Sequence, residues 1–290
     1  MGLYIARSLS FEGVEYEPLR HPLTADDIAI WDAWADAYQL IHQNLRAALE
    51  AVGVTEDGKA KSGQAASAVM SAFEGAKLRF FGHLLSGLKA PSLVAAIRQD
   101  LAEGRSAVVQ VVSTNEAVME RRLAEIPPEE WNNLAVDLTP KDQVLDYLMG
   151  AFPVMAMYAI EDEDGNVTLV PVTDADGRPV VSQEALRLRD ELVAHLACLP
   201  AVHGVLDAVI EQLGTEQVAE ITGRSRRVIT RDGRRVVERR SASAAKAETD
   251  AFMAAKKRVL VFSDAGGTGR SYHADLAAQT MQSHLRAILT

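Results

Sequence analysis

Two short apolar runs constrain this chain more than any other feature: Ala107-Val-Val-Gln-Val-Val112 and Arg258-Val-Leu-Val-Phe-Ser263. Each is too short for a helix and rich in β-branched residues, the signature of a strand covered on both faces. Each passes directly into a polar turn, Ser113-Thr114-Asn115-Glu116 in one case and Asp264-Ala-Gly-Gly-Thr-Gly-Arg-Ser271 in the other. Helical pattern follows both turns, over Tyr272–Leu289 in the second unit. Buried strands of this kind pair in parallel, and parallel pairs need crossover connections. The expectation is an α/β fold whose polar turns stand at the carboxyl ends of the strands, where such sheets bind ligands.

The flanking sequence is of a different kind. Over 24–52, Trp31, Trp34, Tyr38, Ile41, Leu45 and Leu49 recur at three- and four-residue spacing, which predicts one long amphipathic helix with a core-facing stripe. Thr24 and Asp27 have capping-box spacing at its start. Residues 53–63 read as a glycine-bearing loop. A second helix follows over 64–87, and a third begins at Pro91 and runs to Glu103, proline being suited to a first turn. Further on, Asp164-Gly165 and Asp176-Gly177 punctuate β-forming residues over 160–182 and predict a small antiparallel meander. Helices are expected over 183–198 and 201–222. Asp232-Gly233, set between Arg227-Val-Ile-Thr230 and Arg235-Val-Val237, predicts a hairpin flanked by arginines.

Charge adds one local feature. The chain carries a net charge of −10, which disfavours indiscriminate binding to nucleic acid. Yet eight arginines fall between Arg224 and Arg240 against only Asp232 and Glu238, a local charge of +6. Arg226, Arg227, Arg234 and Arg235 on this hairpin are candidates to grip successive phosphates, since guanidinium forks match phosphate oxygens. A solvated hairpin paired with the acidic body is the competing reading. The single cysteine, Cys198, excludes an internal disulfide, suits a cytoplasmic setting and reads as a small buried hydrophobe. No signal-peptide pattern opens the sequence and no apolar run reaches membrane-spanning length, so no membrane partner is expected.

Several chemistries are excluded by residue type. Asp264–Ser271 invites comparison with a phosphate-binding loop, but Asp264 stands where the first glycine belongs and Arg270 where the lysine belongs. An aspartate would repel phosphate at the closest approach, and arginine does not replace a compact ammonium. The acids Glu161–Asp164 after Met155–Ile160 suggest a magnesium-binding strand end, yet Gly165 follows at once and makes a solvated turn the simpler reading. The seven histidines form no metal-binding spacing, and no nucleophile elbow is present, so neither a metal site nor a catalytic residue is expected.

The stretch Val259-Leu-Val-Phe-Ser-Asp-Ala-Gly-Gly-Thr-Gly-Arg-Ser-Tyr-His-Ala-Asp275 resembles the second motor lobe of strawberry notch-type proteins, which are superfamily 2 helicase-like ATPases. Leu213–Arg224, Ala107–Arg122 and Arg7–Val14 resemble the segment before the hairpin, the first strand of that lobe and the connection out of the first lobe. The resemblance implies a RecA-like P-loop NTPase fold, with ATP bound between two lobes and DNA or RNA tracking across them. On that basis Asp264, Gly266, Gly267, Thr268, Gly269 and Arg270 form a nucleotide-coupling motif, and Ser113 and Thr114 contact the nucleic-acid backbone.

The implied organisation runs from an interlobe connection and long helix (1–63), through the first part of the helicase C-terminal lobe (64–125) and an inserted α+β region (126–245), to a truncated second part (246–290). The first lobe, with its lysine loop and magnesium-binding acids, is missing, and after Ala278 the sequence departs from the family before an arginine finger. ATP and magnesium are therefore expected only if another chain supplies the first lobe. The resulting expectation is the C-terminal portion of an ATPase that is not competent alone. The alternatives are a standalone nucleic-acid-binding or regulatory module, or the product of a decayed gene.

Overall fold

The computed structural model describes residues 15–112, 114, 116–134, 139–161, 167–241, 243–263, 272 and 285–289. The first helix, α1 (Ala25–Ala51), starts where the capping box places it. Thr24 Oγ1 accepts from Asp27 N at 3.1 Å, and Asp27 Oδ2 accepts from Thr24 N at 2.9 Å. Trp34, Tyr38, Ile41, Leu45 and Leu49 are buried along one stripe, whereas Trp31 is 37% exposed and leans on Phe81. The loop after α1 holds a minimal hairpin, β1 (Thr55–Glu56) with β2 (Lys59–Ala60).

The two helices expected over 64–103 are one. Helix α2 (Gly63–Ala102) runs straight through Pro91, at 1.5 Å per residue roughly 60 Å long. A proline inside a helix forfeits one backbone hydrogen bond. Packing on both sides offsets that loss: Phe73, Phe80, Leu84 and Leu88 sit in one core, and Ala90, Leu93, Val94 and Ile97 sit in another. Gly87 lies at the boundary, where a Cβ would stand 2.5 Å from the His203 carbonyl oxygen, so only glycine lets the crossing backbone approach. By length and composition α2 could also cross a membrane, although half of its most apolar stretch is buried inside the protein.

The first core belongs to a helical bundle. It joins α1 and the first two-thirds of α2 to α4 (Lys141–Ala151) and α5 (Gln183–Ala197). Between α4 and α5 lies the antiparallel pair β4 (Met157–Glu161) and β5 (Val167–Pro171), extended by the bridges Met155↔Val181 and Thr173↔Pro179. This is the expected meander, and its Asp176-Gly177 turn is closed by Asp174 Oδ1, which accepts from two backbone amides at 2.9 Å. Glu161 is exposed, and the remaining acids of that turn lie outside the described residues. Cys198 is also exposed. The buried stripe of α5 runs through Leu188, Leu192 and Leu196, and Cys198 caps the helix off that stripe.

The second core is built on a parallel sheet. Strands β3 (Ser106–Val111) and β9 (Val259–Ser263) are neighbours in register Val108↔Leu260, as their sequences predict. Two further strands, β6 (Val218–Ile221) and β10 (Leu285–Leu289), flank them, giving the order β10-β3-β9-β6, all parallel. Both flanking strands correct a helix expectation. The helix expected over 201–222 is α6 (Val205–Leu213), which ends at Gly214 with φ +81°, and Val218–Ile221 then forms β6. The helix expected over 272–289 gives way at Leu285–Leu289 to β10, paired with β3 from Leu285↔Ser106 to Leu289↔Gln110. Leu, Arg and Ala are good helix formers, but pairing with an already buried strand overrides a propensity of a few tenths of a kcal/mol per residue.

Helix α3 (Glu116–Ala124) follows β3 as expected and leads into the short 3-10 turn Pro128–Asn132, and α7 (Ala244–Met253) precedes β9. The arginine hairpin forms as β7 (Arg226–Arg231) with β8 (Arg234–Arg239). Asp232 and Gly233 both take positive φ at its tip, the geometry that suits the twist of paired strands. The architecture is mixed α/β with a parallel sheet, the coarse fold read from the sequence. The connection at Arg7–Val14 lies outside the described residues.

Candidate functional site

Because β3, β9 and β6 run parallel, their carboxyl ends share one edge of the sheet. Val111, Ser263 and Ile221 are the last residues of the three strands. Ser113, Asp264, Gly266, Gly267, Thr268, Gly269 and Arg270 lie outside the described residues. The chain leaves this edge after Ser263, and Tyr272 is again against β9, its ring 5.7 Å from that of Phe262. The sheet thus brings to a single edge the strand ends, Val111 and Ser263, that precede the two sequence-derived polar segments. Thr114 is half-buried beside it.

A third turn, which sequence reading missed, completes this edge. Thr222-Gly-Arg-Ser225 follows β6 and is tied to α3: Glu116 Oε1 accepts from Ser225 N at 3.2 Å, and Glu120 accepts from Ser225 Oγ at 2.8 Å. Glu220, wholly buried on β6, anchors the turn from below. Its carboxylate accepts from Arg224 at 2.6 and 3.1 Å, from Arg240 at 3.1 Å, from Arg227 at 3.3 Å and from Thr222 Oγ1 at 2.6 Å. Arg224 also reaches Asp207 Oδ1 on α6 at 2.7 Å. Burial alone would raise the Glu220 pKa. The Arg224 guanidinium, with Arg240 and the hydrogen bonds, outweighs burial and lowers it to about 2. Three guanidinium groups on one buried carboxylate fasten the arginine hairpin to the sheet. The sequence signal for this was the number of arginines close to Val218-Ala-Glu-Ile221, but a helical reading of that stretch hid its partner.

The hairpin arginines are therefore not equivalent. Arg227 is 6% exposed and holds Glu238 as well as Glu220, so it belongs to the interior rather than to a phosphate-gripping face. Arg226 is paired with Glu120, and its guanidinium stacks 5.1 Å from the Trp131 ring, which carries Arg239 at 5.2 Å. Arg234 is exposed at the hairpin tip with no ion pair among the described residues. Arg235 and Thr114 line one cleft of about 450 Å³ between α6 and the hairpin. Of the six candidates from sequence, this cleft gathers two. It also takes in Asp207, Glu211, Glu216 and Asp232, which outnumber its arginines, Arg231 and Arg235. Among the described residues no three His, Cys, Asp or Glu side chains converge as a metal site.

Comparison with known proteins agrees with this architecture. Residues 204–290 match a helicase C-terminal family model, described as the C-terminal domain on strawberry notch homologue. That stretch includes β6, the hairpin, β9 and residues 264–270, and it continues past Ala278, where sequence reading ended the resemblance. Over 99% of its length the chain is 26% identical to protein strawberry notch homolog 2 of Mus musculus and of Homo sapiens. It is 23% identical to strawberry notch homolog 1 of Rattus norvegicus over the same share. The chain spans 26% of the mouse and human proteins and 28% of the rat protein. No solved structure matches it significantly. The strawberry notch resemblance read from sequence therefore holds.

Proposed function

We propose, from the strawberry notch C-terminal domain carried by residues 204–290, that this chain is the second-lobe portion of a nucleic-acid-dependent ATPase of superfamily 2, with a RecA-like sheet. The observation that carries the proposal is the common edge on which the parallel strands β3, β9 and β6 end. In open α/β sheets ligands bind outside such an edge. Residues 264–270 follow Ser263, the last residue of β9, in the sequence, and glycines there would allow backbone amides to approach phosphate closely. Asp264, Gly266, Gly267, Thr268, Gly269 and Arg270 would couple the nucleotide site to the nucleic-acid path, and Ser113 and Thr114 would meet the DNA or RNA backbone.

The described residues do not fit ATP and magnesium by themselves. The edge offers hydroxyls and engaged arginines, but no free lysine and no converging acids. The principal phosphate cradle, ATP and magnesium therefore belong with a first lobe outside this chain. The second lobe's part would be to present its coupling segment, and the Glu220 network fastens the turn Thr222–Ser225 at the same edge. A standalone phosphate-binding hairpin has less support, because Arg227 is buried and Arg226 is engaged.

The test is ATP hydrolysis by the purified chain, with and without single-stranded DNA or RNA. No stimulated hydrolysis is expected alone, and stimulation is expected when a strawberry notch first lobe bearing a lysine loop is added. Hydrolysis by the chain alone that survives stringent purification and disappears in Gly269→Asp would sink the proposal.

A further inference from the structure

The cleft beside the hairpin has an unusual wall. Val228, Ile229, Thr230, Arg231 and Asp232 are consecutive, and all five line it. Side chains of a strand alternate between its two faces, so a single face could contribute only every second residue. Consecutive lining residues mean that the cleft follows the edge of β7. The packing agrees: Ile229 joins the sheet core on one side, and Val228 joins Met119 and Leu134 on the other. Ile210 and Met119, one from each cluster, floor the cleft.

That edge is open. β7 pairs only with β8, and among the described residues its outward amides and carbonyls take no backbone partner. The outer edge of β8, by contrast, is already occupied: Arg235 O accepts from Leu134 N at 2.9 Å. An unpaired strand edge inside a cleft is a template for one more strand.

The charge around the edge selects the occupant. Glu211, Glu216 and Asp232 have no ion-pair partner among the described residues, whereas Arg231 is engaged by Glu238 at 3.2 Å. Asp207 is held by Arg224. Arg235, the other lining arginine, also has a partner; the uncompensated charge among the described cleft residues is thus negative, which repels a phosphate backbone and attracts ammonium or guanidinium groups.

We infer that this cleft binds an extended, basic peptide segment that adds to β7 as a third strand. Main-chain hydrogen bonds to β7 supply affinity, and alternate lysine or arginine side chains meet Glu211 and Glu216. The inference rests on the cleft alone and stands or falls separately from the ATPase reading.

Fluorescence anisotropy with a labelled peptide of roughly nine residues alternating lysine and valine tests it, beside the same peptide carrying glutamate for lysine. The lysine peptide is expected to bind and the glutamate peptide not to. The double variant Glu211→Lys, Glu216→Lys should weaken binding about tenfold or more, with its folded circular dichroism unchanged, while Arg234→Ala outside the cleft leaves it unaltered. Amide exchange over 226–231 should slow when peptide is bound. Equal binding of both peptides, unchanged affinity in the double variant, no protection at β7, or displacement by a single-stranded oligonucleotide would each overturn the assignment. The last of these would make the cleft a nucleic-acid site.

Discussion

The helical bundle and the sheet lobe share one helix, α2, yet are held together by different physics. The bundle core is aromatic and apolar: the Trp34 and Phe80 ring centres lie 4.4 Å apart, and the Tyr38 ring packs at a tilt against Phe80 and Phe81. Among the described residues the Tyr38 and Tyr147 hydroxyls are buried there with no hydrogen-bond partner. The sheet lobe instead places a carboxylate in its interior and satisfies it with three arginines and a threonine. Apolar burial is tolerant of direction, whereas a buried ion network has one arrangement. The bundle thus needs only the right residues on one face, and the lobe needs particular partners from β6, β7 and the segment after β8.

The largest expected effect breaks the lobe and spares the bundle. Glu220→Gln leaves three arginines around a neutral group and should destabilise by about 3–5 kcal/mol. Trp131, beside the hairpin, and Trp34, in the bundle, allow the two regions to be followed separately by fluorescence in single-tryptophan backgrounds. Urea unfolding should then show the Trp131 transition shifted to lower denaturant and the Trp34 transition much less so. Acid tests the same contrast. A carboxylate whose folded pKa is depressed contributes stability that is present above its unfolded value near 4.5 and is lost as pH falls toward about 2. The lobe should therefore loosen over that window ahead of the bundle. Coincident transitions of both tryptophans would mean the two regions are one cooperative unit.

Gly87→Ala probes the boundary. The new methyl would meet the His203 carbonyl oxygen at 2.5 Å and Val202 Cγ1 at 2.7 Å. A cost of about 1–3 kcal/mol is expected, measured as a fall in thermal midpoint for both regions, because α2 and the 202–203 crossing join them. The smallest change is expected from Tyr38→Phe, which removes a hydroxyl that has no partner. Stability should stay level or rise by up to about 1 kcal/mol. A clear loss would reveal an ordered water bridging Tyr38 and Tyr147.

Much of this was legible locally. The α1 stripe, its Thr24–Asp27 cap, the buried strands at 107 and 259, and the Asp176-Gly177 turn were readable because each is written within a few neighbouring residues. The arginine hairpin was readable for the same reason. What escaped was set at long range. The sequence at Pro91 reads as a helix start, and only the two cores on either side keep α2 continuous. Val218–Ile221 and Leu285–Leu289 read as helix, and only β9 and β3 make them strands. The roles of the hairpin arginines could not be read at all. Arg226, Arg227, Arg234 and Arg235 are alike in sequence, yet one is buried on Glu220, one is paired with Glu120, one is exposed and one faces a cleft.

By itself the sequence determined the class of fold and the strawberry notch resemblance, since these depend on short patterns. The tertiary structure decided which side chains are free to act. Charge is spent wherever a partner lies within a few ångströms, and Glu220, wholly buried among guanidinium groups, consumed much of the basic surplus that the sequence seemed to offer to nucleic acid.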